Sequence, residues 1–187
     1  MKYPILFGSL LGGTILTSTI VLATVFPVSS FLEEPLSTIV NIPQIMPYFT
    51  VFATLIGIAL LLFIYSAFNH FGEPNKETKI LIGVAFIIGL MMIWTPYNDK
   101  QLLFKIIHTF TGLGLALSMI IIAIKFNKIS RISNKSLAWI RSKLPSVMGI
   151  ETLGIRVISG INLIMEIYFF TLATLWLVLV GITIKEE

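Results

Sequence analysis

Residues 46–68 read MPYFTVFATLIGIALLLFIYSAF. This run of about 23 uncharged residues exceeds the roughly 20 that a helix needs to cross about 30 Å of hydrocarbon at 1.5 Å per residue. Comparable runs cover residues 4–26, 80–95, 102–124 and 160–184. Around them the whole chain of 187 residues is 56% hydrophobic and only 12% charged, against roughly 25% charged residues in an average soluble domain. Its mean hydropathy is +0.96. A soluble fold is excluded, and the expected architecture is all-α: a polytopic integral membrane bundle of five or six transmembrane helices, forming one domain over residues 1–187.

The opening run follows a single lysine, Lys2, and superficially resembles a signal peptide. It is longer than the usual 7 to 15 residues of a signal core, and no small-x-small cleavage pattern precedes Pro27, so it reads as a retained span. Cysteine is absent and there are only two histidines. Disulfides, thiolate metal sites and iron–sulfur clusters are thereby excluded, and neither a metal nor a cofactor is expected. The net charge of +4 does not point to nucleic acid, because the basic residues gather in one loop between apolar runs, where the positive-inside bias accounts for them.

Short connections at 69–79 and 95–101 carry turn residues (Gly72, Pro74, Pro96, Asn98) and imply antiparallel neighbours. The first connection, 27–44, holds Pro27, Pro35 and Pro43 with Glu33 and Glu34, and reads as an outer extramembrane loop. With the N-terminus inside, nine basic residues fall on inner segments (Lys2, Lys76, Lys79, Lys125, Lys128, Arg131, Lys135, Arg141, Lys143) and two, Lys100 and Lys105, on outer ones. That bias predicts an inside N-terminus. Trp94, Tyr97 and Tyr48 then lie at the outer interface, where amphipathic aromatics belong.

Residues 125–143 form the basic inner loop. Leu137, Trp139, Ile140 and Leu144 are expected along one side of a short interfacial helix. Lys128, Arg131, Lys135, Arg141 and Lys143, with Trp139, are the expected contacts for anionic lipid headgroups or a partner subunit. Residues 144–160 are apolar but include Glu151 and Arg156, and a charge at a span centre costs on the order of 2.5 to 3.5 kcal/mol. Two topologies therefore stay open: five spans with the C-terminus outside, or six with both ends inside.

Small residues recur four apart: Gly8 with Gly12, Ser9 with Gly13, Ala53 with Gly57, Ala85 with Gly89, Gly112 with Ala116, and Gly114 with Ser118. Such spacing lets helix backbones approach closely, within the bundle or against a partner. Two ionisable residues interrupt the apolar runs. His108 lies about one and a half turns inside the outer end of the fourth span, and Glu166 lies among apolar neighbours in the last. Groups at such depth face the bundle interior or a water-filled cavity. With six spans the two lie at similar depth, and Asn162, Thr109, Thr111 and Tyr168 could complete a polar network; with five they are separated.

No metalloprotease, serine-hydrolase or phosphate-loop motif is present, so an enzyme is not the expected class. The turn Thr95-Pro96-Tyr97-Asn98-Asp99, His108 in the following apolar helix, and a closing span with Met165-Glu166 and Leu175-Trp176 together resemble domain of unknown function 998. That is an uncharacterised prokaryotic family of predicted six-span bundles, and the likeness covers about residues 45–184. Two departures are Ile167 after Glu166, where the family tends to have arginine, and the charges Glu151 and Arg156 in the fifth span. The resemblance implies six spans in a prokaryotic cytoplasmic membrane, marks His108 and Glu166, and supplies no activity. Two functions are expected: a non-enzymatic accessory or structural subunit of a membrane complex, or a small transporter or lipid-binding protein with its polar site at His108 and Glu166.

Overall fold

The computed structural model describes residues 3–25, 46–95, 101–150, 154 and 163–186. Six helices occupy them: α1 (Pro4–Val25), α2 (Met46–His70), α3 (Lys76–Trp94), α4 (Leu102–Ile129), α5 (Lys135–Ile150) and α6 (Leu163–Glu186). No strand occurs among the described residues. All but α5 are long and apolar enough to cross a membrane. Leu55, Leu62, Ile87 and Phe110 are well exposed on their outer faces, as expected where the surrounding medium is hydrocarbon.

Local chemistry sets the helix ends. The Asn75 side chain accepts the Thr78 backbone N–H at 2.9 Å and caps α3. The helix therefore starts at Lys76, a turn earlier than residue 80, where the apolar run begins. Gly72, at φ +121°, supplies the left-handed turn between α2 and α3. The fourth helix continues past residue 124 to Ile129, because Lys125 and Lys128 can extend their charges to the interface while their stems stay on the helix. Asn134 caps α5 by accepting the Ser136 and Leu137 N–H groups at 3.0 and 3.1 Å.

Antiparallel packing of α1 and α6 decides the chain path. A Cβ built on Gly8 would meet the Leu177 carbonyl at 2.6 Å, one on Gly12 would meet Thr174 at 2.7 Å, and one on Gly181 would meet the Pro4 carbonyl at 2.6 Å. The start of α1 therefore lies against the end of α6. Phe7 packs on Phe63 with ring centroids 5.8 Å apart, Phe68 on Phe126 at 5.4 Å, and Lys125 reaches Glu77 at 3.5 Å. The first residues of α1 and α3 thus share one end of the bundle with the last residues of α2, α4 and α6. By this arrangement α4 finishes at this end and α6 starts at the other. Between them α5 leaves the shared end, and its Gly149 lies beside Ile120, about 15 Å along α4 from Ser130.

The core is densest at the shared end, where Phe63, Ala67, Phe68, Phe126 and Trp176 are all almost fully buried. Phe126 meets Phe68, Phe71 and Trp176 edge-on, the arrangement that aromatic quadrupoles favour. The same end carries Lys76, Lys79, Lys125, Lys128, Arg131, Lys135, Arg141, Lys143 and Lys185, whereas among the described residues the opposite end carries only Lys105. Glu186 accepts the Ser133 N–H at 2.8 Å and ties the close of α6 to the α4–α5 connection.

Two expectations for the basic loop change. Arg141 does not face headgroups; it is 4% exposed. Its Nη1 donates to the Ser130 and Thr183 hydroxyls and its Nη2 to the Ser130 carbonyl, each at 2.8 Å, and its guanidinium stacks 5.8 Å from the Phe126 ring. Burial pushes the guanidinium below its ordinary value. Pro145 sits inside α5 without an N–H for the Arg141 carbonyl four residues back. Asn127 Nδ2 donates to that carbonyl instead, at 3.0 Å. Trp139, for its part, is exposed and does not share a face with Leu144, which is buried beside Arg141 and Met148. Five residues turn a helix through about 500°, which leaves Trp139 and Leu144 well apart around it. Lys128, Arg131, Lys135 and Lys143 are largely solvent-facing. Residues 27–44 and most of 151–160, including Glu151 and Arg156, lie outside the described residues.

Candidate functional site

Away from the dense end the helices enclose a cleft of about 240 Å³. Its walls come from α1, α2, α3, α4 and α6, and both His108 and Glu166 line it. They share it because α4 and α6 both run from the far end toward the basic end, so residues early in each lie at related depths.

The His108 ring is held from α3. Its Nδ1–H donates to the Thr95 carbonyl at 2.7 Å, using a carbonyl at the close of that helix, where the intrahelical donors have run out. With Nδ1 as donor, the lone pair of the neutral ring lies on Nε2. His108 and Glu166 are both half-buried. Ser18 and Thr19 of α1 add hydroxyls to the lining, and both also donate to the Ile15 carbonyl at 2.9 Å. These hydroxyls therefore need no further acceptor when the cleft is filled with hydrocarbon.

The remaining lining is apolar. Near the polar groups stand Phe49, Ile93 and Phe170; midway lie Gly57 and Gly89; and the deepest wall is Ile64, Ile82 and Ile122. Gly57 and Gly89 have ordinary space around them, with a built Cβ 3.9 Å from Phe86 and 3.6 Å from Leu115, respectively. A mostly apolar cavity with a few convergent polar groups is the usual form of a small-molecule site.

The other candidates fall elsewhere. Thr109 is half-buried on α4 and is not part of the lining. Thr111 turns its hydroxyl back to the Ile107 and His108 carbonyls, and Tyr168 is exposed. Asn162 lies outside the described residues. Gly8 and Gly12 pack on α6, and Gly114 on Ile88 of α3, so these small residues serve contacts within the chain; Gly112 is half-buried on α4. Among the described residues no group of three His, Asp or Glu side chains is placed to hold a metal.

Sequence reasoning missed Ser18, Thr19 and the glycine-lined middle of the cleft. In a helix that is apolar all round, no periodic pattern distinguishes a cavity wall from a lipid-facing wall. It also missed the role of Arg141, although Pro145 four residues later was a legible sign that the Arg141 carbonyl needs a donor from elsewhere. No family model, no curated protein and no solved structure matches the chain.

Proposed function

We propose that the chain is a ligand-binding protein of the cytoplasmic membrane, which takes a partly apolar small molecule into the cleft and holds its polar part at His108 and Glu166. The carrying observation is that the two ionisable residues set into apolar helices line one cavity. Ionisable groups at such depth are costly unless they line a cavity or are paired, and they commonly mark binding pathways.

The accessory-subunit reading loses part of its support. Gly8, Gly12 and Gly114, whose spacing suits contacts within the bundle or against a partner, are occupied by α6 and α3 of the same chain. Anionic lipid remains a proposed partner for exposed Lys128, Arg131, Lys135 and Lys143. The positive-inside bias supports a cytoplasmic side for their shared end, and with it an inside N-terminus.

The test is native mass spectrometry of the protein purified from its own membranes, read as the fraction carrying a retained small molecule. His108→Ala and Glu166→Gln are each expected to lower that fraction about tenfold, the loss that one hydrogen bond to a charged or polar partner carries, with unfolding temperatures in detergent close to the parent. Unchanged occupancy in both variants would overturn the proposal, as would loss of occupancy only in step with loss of folding.

A further inference from the structure

The cleft is polar at one end only. Ser18, Thr19, His108 and Glu166 lie toward the end where α6 begins, while among the described residues the lining toward Ile64, Ile82 and Ile122 is without a polar side chain. It is also long. From His108 to Ile122 the α4 wall runs for about 21 Å at 1.5 Å per residue, and the α2 wall from Phe49 to Ile64 runs for about 22 Å. The cavity of about 240 Å³ is therefore drawn out along the bundle rather than rounded. Gly57 and Gly89 stand midway in the lining, where a side chain as large as leucine would take up part of it.

Resting on the proposed ligand-binding function, we propose that the ligand is an extended amphipathic chain, of alkyl or isoprenoid type, with a small uncharged head that carries hydroxyl donors. The head lies between the His108 ring and the Glu166 carboxyl, and the tail runs along α2, α3 and α4 to the isoleucine wall. An uncharged head suits a site that offers one carboxyl and one imidazole with its lone pair on Nε2, since hydroxyls can donate to both. An extended chain advances about 1.3 Å per carbon, so about 16 carbons fill the track. A compact molecule of equal volume would leave the deep wall without contacts and lose their dispersion energy.

The experiment uses the full-length protein in detergent, incubated with monoacylglycerols of about 8 to about 18 carbons, and reads the bound fraction of each by native mass spectrometry. In the parent, binding is expected to strengthen with chain length up to about 16 carbons and then to level off, as the deep wall is reached. Gly57→Leu blocks the track halfway, and is expected to lower binding of the 16-carbon chain about tenfold while leaving the 8-carbon chain within about twofold. Gly89→Leu reaches the same level from α3 and provides the same reading should the first variant fail to fold.

Equal loss for both lengths, or no loss for either, would overturn the extended-chain ligand. So would tight binding of the compact cation tetraphenylphosphonium that is weakened by His108→Ala and indifferent to Gly57→Leu, and in that case the cleft would remain a ligand site. Absence of every probe, together with unchanged native occupancy in His108→Ala and Glu166→Gln, would overturn both proposals.

Discussion

Gly181→Ala is expected to lower the unfolding free energy of the bundle by about 2 kcal/mol, in the middle of the range for overpacked cores. The added Cβ would lie 2.6 Å from the Pro4 carbonyl oxygen, 2.7 Å from Ile5 Cα and 2.9 Å from Ile5 N. All three are backbone atoms, so no side-chain rotation relieves the clash and α1 must move away from α6. Gly8→Ala meets the Leu177 carbonyl at 2.6 Å and belongs to the same class. Separation also stretches the bond from the Thr174 hydroxyl to the Gly12 carbonyl, 3.0 Å long, that joins the two helices. Gly13→Ala and Gly83→Ala are the controls. Nothing lies within 4 Å of either built Cβ, and alanine in place of glycine in a helix is favourable by about 0.5 to 1 kcal/mol. Thermal or denaturant unfolding in detergent distinguishes the two pairs, and equal stability of Gly181→Ala and the parent would contradict the close α1–α6 contact.

Arg141→Ala is expected to cost about 3 kcal/mol, and Arg141→Met about 1 kcal/mol or less. The difference follows from what each change leaves behind. The guanidinium is buried, and among the described residues no carboxylate pairs with it. Its Nε, with Asn127 Oδ1 and Trp176 Nε1, has no hydrogen-bond partner there. Desolvation therefore offsets much of what its three hydrogen bonds contribute.

Loss of the guanidinium strands few partners. The Ser130 hydroxyl still donates to the Phe126 carbonyl at 2.6 Å and the Thr183 hydroxyl to the Leu179 carbonyl at 2.7 Å. Alanine also empties the space between α4, α5 and α6, whereas methionine refills it. Arg141→Lys retains the buried charge but not the forked geometry that reaches Ser130 and Thr183 together, and should fall between the two. The same unfolding series checks the order. A cost for Arg141→Met equal to that of Arg141→Ala would mean that the charge, and not the volume, holds this corner.

Much of this architecture is legible in the chain because hydrocarbon demands a simple pattern. Long uncharged runs predict the five long helices, and His108 and Glu166 stand out as the ionisable residues within them. What the runs do not encode is azimuth. In lipid the outer face of a helix is as apolar as the inner one, so Leu62 and Phe63 look alike in sequence although one is exposed and the other fully buried. The cleft is hidden for the same reason.

Span number stayed open in the sequence because Glu151 and Arg156 interrupt the fifth apolar run. The choice turns on contacts far apart in the chain, Gly8 with Leu177 and Gly181 with Pro4, which no local pattern announces. Arg141 was read with its basic neighbours because charge indicates a loop's preferred side of the membrane, but not which residue of that loop turns inward. Pro145 and Asn127 carried that information as a pair, legible only once α4 and α5 are set side by side.

The antiparallel pairing of α1 and α6 is what brings Glu166 into the cavity of His108, and the absence of native cysteine makes it directly measurable. Single variants Tyr3→Cys, Tyr48→Cys and Glu186→Cys would be treated with a membrane-impermeant maleimide in sealed, uniformly oriented vesicles, before and after permeabilisation. The fold predicts that Tyr3→Cys and Glu186→Cys react from the same side and Tyr48→Cys from the other. Reaction of Tyr3→Cys and Glu186→Cys from opposite sides would contradict it, separate Glu166 from His108, and remove the shared cavity on which the proposed function rests.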